Sequence, residues 1–132
     1  MSRIRRITSA KAPEPPPESF SNCLLVDGVA YVAGQVARPN PGEAALSDYE
    51  QASRIFGKLD ALLQAAGGGL GDIVKMTVFM TDIRRRDEIW QARKERFTGA
   101  FPASTLVEIS KLADPALTVE IEVIAHIGAS KG

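Results

Sequence analysis

Few side chains in this chain of 132 residues could do chemistry, and the densest group of them lies in VEIEVIAHI, Val119 to Ile127. Alternation along a strand sends Val119, Ile121, Val123, Ala125 and Ile127 to one face and Glu120, Glu122, Ile124 and His126 to the other. The first face is core. Two carboxylates beside a branched aliphatic suit a cleft or a subunit interface better than open water or a dry interior. The other reactive types offer less. Cys23 has no second cysteine to pair with, and no C-x-x-C or Cys/His cluster could hold a metal, so the thiol reads as a small hydrophobe in a strand. His126 has no Ser, Cys or Asp at a motif spacing and reads as a strand-end histidine. Arg84, Arg85 and Arg86 read as the solvated start of a helix rather than an RNA site. Gly67, Gly68 and Gly69 follow a helix, whereas a phosphate cradle precedes one.

These residues need elements to position them. The final stretch reads as two strands, Ser104 to Lys111 and Leu117 to Ile127, joined by a turn at Ala113, Asp114 and Pro115. On the first of them Thr105, Val107 and Ile109 share one face, and Ser104, Leu106 and Glu108 the other. Arg3 to Thr8 suggests a short opening strand. The prolines between Ala12 and Glu18 exclude a central strand and predict a loop crossing an edge. Asn22 to Val26 and Val29 to Gly34 flank Asp27-Gly28, a hairpin turn signal. Arg38 to Ala45 is a surface loop, and Gly34 either permits a turn or lets a ligand approach the backbone. Ser47 and Glu50 form a capping box, followed at helical spacing by Ala52, Ile55, Phe56, Leu59, Leu62, Leu63 and Ala66. Asp72 to Met80 is a strand apolar on both faces, which predicts cover on both. A second helix is expected from about Arg84 to Thr98, capped by Thr81 or Asp82, with Ile89, Trp90, Arg93 and Phe97 inward.

The order strand, hairpin, helix, strand, helix, strand, strand predicts one α+β domain over residues 1–132, a single mixed sheet with both helices on one face. Leu106, Ile124 and either Ile73 or Phe79 are then left on the uncovered face, where apolar surface invites association. Sixteen basic and sixteen acidic side chains cancel, so the chain lacks the overall basic footprint of a nucleic-acid binder. MSRIRRITSAK, at the start, has no apolar run behind it. It reads as neither signal peptide nor membrane span, and a cytoplasmic location is expected.

FPAS-x-LVE (Phe101 to Glu108), GDIVKMTVFMTDI (Gly71 to Ile83), VAYVAGQV (Val29 to Val36) and VEIEVIA together resemble the Rid family, also called YjgF-like or L-PSP endoribonuclease proteins. The resemblance spans nearly everything after about Phe20. It implies a chorismate-mutase-like homotrimer with a small-molecule cleft at each subunit boundary, hydrolysing enamines and imines without metal or cofactor. A glutamate of the last strand helps to activate water there, which maps to Glu120, and a glycine backbone maps to Gly34. An aromatic position falls on Phe20. Where the deaminase motif reads F-P-A-R-S-C-V-E, this chain has Ser104 for the carboxylate-binding arginine and Leu106 for the cysteine.

A serine hydroxyl cannot copy the paired hydrogen bonds of a guanidinium. Poor turnover of 2-aminoacrylate and a preference for neutral or cationic ligands with an apolar part are therefore expected, unless another basic group such as Arg38 or Arg93 supplies the fork. Three functions follow: a hydrolase of small carbon–nitrogen compounds, a non-catalytic trimer binding a metabolite or protein, and an RNase. Neutral charge, one histidine and no aromatic-basic stripe make RNase the weakest.

Overall fold

A computed structural model describes residues 2–131. Its strands are β1 (Ile4–Ile7), β2 (Cys23–Val26), β3 (Val29–Gln35), β4 (Ile73–Met80), β5 (Ala103–Glu108) and β6 (Val119–His126). The helices are α1 (Asp48–Ala65) and α2 (Arg86–Lys94). The strands form one mixed sheet in the order β1-β2-β3-β6-β4-β5. All neighbours are antiparallel except β4 and β5.

The local signals act where they stand. Asp27 and Gly28 both take positive φ, +49° and +81°, and close a hairpin in which Val26 faces Val29. Ser47 accepts from the Glu50 amide while the Glu50 carboxylate accepts from the Ser47 amide, so two unpaired donors of α1 are satisfied. After α1, Gly67 turns the chain at φ +97°, where a side chain would be strained.

Alternate residues of β6, Val119, Ile121, Val123 and Ala125, are buried with Met76, Val78 and Met80 of β4 under Ile55, Phe56, Leu59 and Ile89 of the helices. Phe56 meets Phe97 edge-on at 5.4 Å between ring centres. Cys23 sits in this core, and burial pushes its thiol up to about 11. In folded protein at pH 8 the thiol should therefore resist an aromatic disulfide reagent, and react only in denaturant. Prompt labelling of the native state would show that β2 is not seated as described.

Three expectations need correction, and a fourth is narrowed. The turn before β6 forms, the carbonyl and carboxylate of Asp114 accepting from the Leu117 and Ala116 amides, but the strands it joins are not neighbours, because β4 lies between them. Leu106 is opposite Val78 and Ser104 opposite Met76, so both lie on the helix-covered side and not on the open one. Ile73 is buried opposite Ala125, because a register shift before Lys75 turns the exposed Val74 out; of the two candidates, Phe79 takes the open face. Finally, α2 is nine residues long behind a 3-10 turn at Ile83–Arg85. Its buried residues are Ile89 and Ala92, while Trp90 is 42% exposed and Arg93 half-buried.

Asp72 secures the C-terminal end. Its buried carboxylate accepts from the amides of Gly69, Gly128 and Ser130 and from the Ser130 hydroxyl. The segment after β6 is thus tied to the turn entering β4. Among the described residues no helix is long and apolar enough to cross a membrane.

Candidate functional site

The side of the sheet away from the helices carries the acidic pair. Glu120 lies between strands, opposite Phe79 of β4, and Glu122 is opposite Thr77. Glu120 is half-buried and Glu122 exposed. Burial raises the Glu120 carboxyl above its ordinary range, and the Glu122 charge on the same face adds to this. Among the described residues neither carboxylate has a basic partner.

Gly34 is what makes room for Glu120. A Cβ at Gly34 would stand 2.6 Å from the Glu120 Cδ, so the carboxyl lies directly on bare backbone. That placement depends on a break in the β3 ladder between Val32 and Gln35. Two buried amides hold the break in shape. Gln35 Nε2 donates to Asn22 Oδ1 at 3.3 Å and to the Ala33 carbonyl at 3.0 Å, while Asn22 Nδ2 donates to the carbonyls of Ala12 and Pro13. Sequence reasoning missed this support. Its one trace was a pair of polar residues at strand ends, which looks like any solvated terminus.

Beside the acidic pair a concavity of about 410 Å³ is lined by Leu24, Tyr31, Lys75, Thr77, Glu122 and Ile124 among others. Glu120 is not part of its wall. On this face of the sheet Glu120 is the carboxyl whose proton affinity is raised, and the hollow beside it is walled mainly by apolar side chains. Phe20 stands apart, 56% exposed, on the segment leading into β2, its carbonyl accepting from Arg6 Nη2 at 3.0 Å.

Ser104 and Leu106 form a second group. Strand β5 is an edge of the sheet, and both side chains lie on its helix side, opposite in sense to Glu120. Leu106 packs partly against the core, and Ser104 accepts a hydrogen bond from Arg93 Nη1 of α2 at 3.1 Å. One chain therefore brings Gly34 to Glu120, and Arg93 to Ser104, but does not unite the two pairs. No cluster of metal-ligating side chains occurs among the described residues.

Comparison with known proteins gives a consistent result. A family model described as Endoribonuclease L-PSP matches residues 10–127. A RutC family protein of Pyrococcus abyssi is 34% identical over 122 residues, covering 91% of this chain and 94% of its own. A human protein named 2-iminobutanoate/2-iminopropanoate deaminase is 32% identical over 130 residues, covering 96% and 93%. Among solved structures, a Pseudomonas aeruginosa protein of unknown function superposes with a TM-score of 0.89 at 43% identity, covering 97% of this chain and 95% of that one. RidA from an Antarctic Psychrobacter gives 0.82 at 27% identity, covering 93% and 99%.

Proposed function

Because the chain belongs to the Endoribonuclease L-PSP family, with RutC and Rid proteins among its relatives, we propose that it is a homotrimer that hydrolyses small imines and enamines in clefts between subunits. The observation that carries the reading is Glu120, a half-buried carboxyl with raised proton affinity, no basic partner among the described residues, and a fitted seat on Gly34. Relatives named as imine deaminases support the reaction type.

In the proposed reaction Glu120 takes a proton from water as the water oxygen bonds to the imine carbon. Starting from the protonated imine, the carbinolamine so formed receives that proton on nitrogen, and the carbon–nitrogen bond breaks as the hydroxyl proton passes back to the Glu120 carboxylate, releasing ammonia and leaving a carbonyl. No oxidant or metal enters the balance.

Assembly is part of this reading. The open face exposes Tyr31, Val107 and Ile4, and the outer edge of β5 has no strand beside it. Apolar area and free backbone donors of this kind favour contact between copies. Such contact is what would bring the Arg93–Ser104 edge of one copy to the Glu120–Gly34 patch of the next. Light scattering on the eluting protein should give three chain masses at micromolar concentration, and imines generated in the presence of semicarbazide should be diverted from the trapped adduct to the carbonyl product. A monodisperse monomer would sink the cleft. A trimer that leaves the trapping ratio unchanged would favour a non-catalytic binding protein.

A further inference from the structure

Among the described residues five polar side chains are buried. Asn22 and Gln35 shape the break in β3, and Asp72 ties down the C-terminal end. Asp48 and Gln51 meet at the other end of the β4–β6 ladder, on the first turn of α1. Gln51 is 1% exposed, and its Oε1 accepts from the amides of Thr118 at 3.0 Å and Val119 at 3.2 Å. Its Nε2 donates to Thr118 Oγ1 at 2.9 Å and to the Leu46 carbonyl at 3.1 Å, with the Ala116 carbonyl a longer contact at 3.5 Å. A primary amide has two acceptor sites and two N–H donors, and here each is engaged, which holds the group in one orientation.

What the amide does follows from where β3 stops. Gln35 opposite Ile121 is the last β3–β6 pair, whereas β4 runs on to pair Phe79 with Glu120 and Met80 with Val119. The entry to β6 thus has a strand on one side only. There the Thr118 carbonyl accepts from the Thr81 amide at 3.1 Å, but the amides of Thr118 and Val119 have no β3 carbonyl to meet. Buried amides require a partner, and the Gln51 carbonyl takes the place of the missing strand. Asp48 closes the arrangement, its Oδ1 accepting from Thr118 Oγ1 at 2.6 Å. The capping box of Ser47 and Glu50 fixes the turn of helix from which both side chains reach. Glu120 is the residue after Val119, and its carboxyl rests on Gly34 at the point where β3 leaves the ladder.

We infer that Gln51 is a positioning residue for Glu120: by completing the backbone of β6 where β3 is missing, its side-chain amide holds the carboxyl over Gly34. The kinetic consequence rests on the hydrolase reading; the placement of the carboxyl does not.

Gln51→Met keeps the length of the side chain and removes its bonds to Thr118, Val119 and Leu46. Well below its unfolding midpoint the variant should hydrolyse imines, supplied by an amino-acid oxidase acting on leucine, about ten- to a hundredfold more slowly than the wild type. In a Glu120→Gln background the same substitution should cost no more than about twofold, because it acts through a carboxylate that is no longer there. Carboxyl-carbon NMR, with the Glu120 signal identified by its loss in Glu120→Gln, reads the placement without turnover. The Glu120 titration should fall in Gln51→Met toward the ordinary glutamate value of about 4.3, as the side chain swings off Gly34 into water. Where Gln51→Met does not fold, Thr118→Val carries the test: it removes only the hydroxyl that steadies Gln51 and should shift rate and titration the same way, with Thr118→Ser restoring both. A lowered Tm with rate and Glu120 titration unchanged overturns the inference, as the mark of a purely structural amide. So does an equal loss of rate in the wild-type and Glu120→Gln backgrounds. A wild type that hydrolyses no imine, with a Glu120 titration that still falls in Gln51→Met, removes the hydrolase reading and keeps the positioning role. Hydrolysis indifferent to both Gln51→Met and Thr118→Val does the reverse.

Discussion

Glu120→Gln should lower imine hydrolysis by about two to four orders of magnitude while the oligomer and its thermal midpoint stay in place. The amide keeps the shape of the side chain over Gly34 but cannot take a proton from water. Stability should not suffer. Burial and the Glu122 charge raise the Glu120 carboxyl, so ionising it costs folding free energy, a cost that grows as pH rises through the folded pKa and that Gln does not incur. The rate of the wild type should climb with pH through a carboxyl titrating above the ordinary glutamate value of about 4.3, and that limb should vanish in the variant. If the limb survives in Glu120→Gln, some other group is the base. Gly34→Ala probes the same seat from the backbone side. Its Cβ would stand 2.6 Å from the Glu120 Cδ, which the flexible carboxyl can relieve by moving. The variant should fold normally yet lose on the order of a hundredfold in rate, since displacement of a catalytic group by about 1 Å is enough for that.

The second large effect concerns Asp72 and is one of stability. Asp72→Ala removes the acceptor of three amides and a hydroxyl at a site 2% exposed. Bonds to a charged acceptor are worth roughly 1.5 to 3 kcal/mol each, and the orphaned donors add a penalty, so a loss of about 3 kcal/mol or more is expected. In a domain of this size that lowers Tm by about 10 °C. Burial alone would raise the Asp72 carboxyl, but the bonds from Ser130, Gly128 and Gly69 outweigh it and hold it below the ordinary value. A depressed carboxyl contributes stability above its unfolded pKa and loses it as pH falls through the folded one. Asp72→Asn should therefore flatten the acid limb of the stability curve. A wild-type acid limb unchanged in that variant would show that the carboxylate is not what secures the C-terminal segment.

The sequence by itself determined whatever depends on neighbours a few residues apart. Asp27-Gly28, the Ser47–Glu50 box, the spacing of Ile55, Phe56, Leu59 and Leu62, and the alternation from Val119 to Ala125 are local patterns, and each acts where it stands. The motif residues that led to the family belong to the same class, since a short string of residue types can be matched before anything is folded. Tertiary structure alone decided which strands adjoin and which way an edge strand faces. Strand β5 offers apolar residues on both sides, Leu106 on one and Val107 on the other, so alternation could not choose between them; the parallel register with β4 did. A one-residue shift beside Val74 likewise moved Ile73 into the core, because side-chain direction has a period of two and one extra residue inverts it. The candidate site shows the same division. Glu120 and Ser104 are legible as positions in strands, but the fit of Glu120 on Gly34 and the reach of Arg93 to Ser104 join residues far apart in the chain, and only packing of α2 and β3 against the sheet creates them.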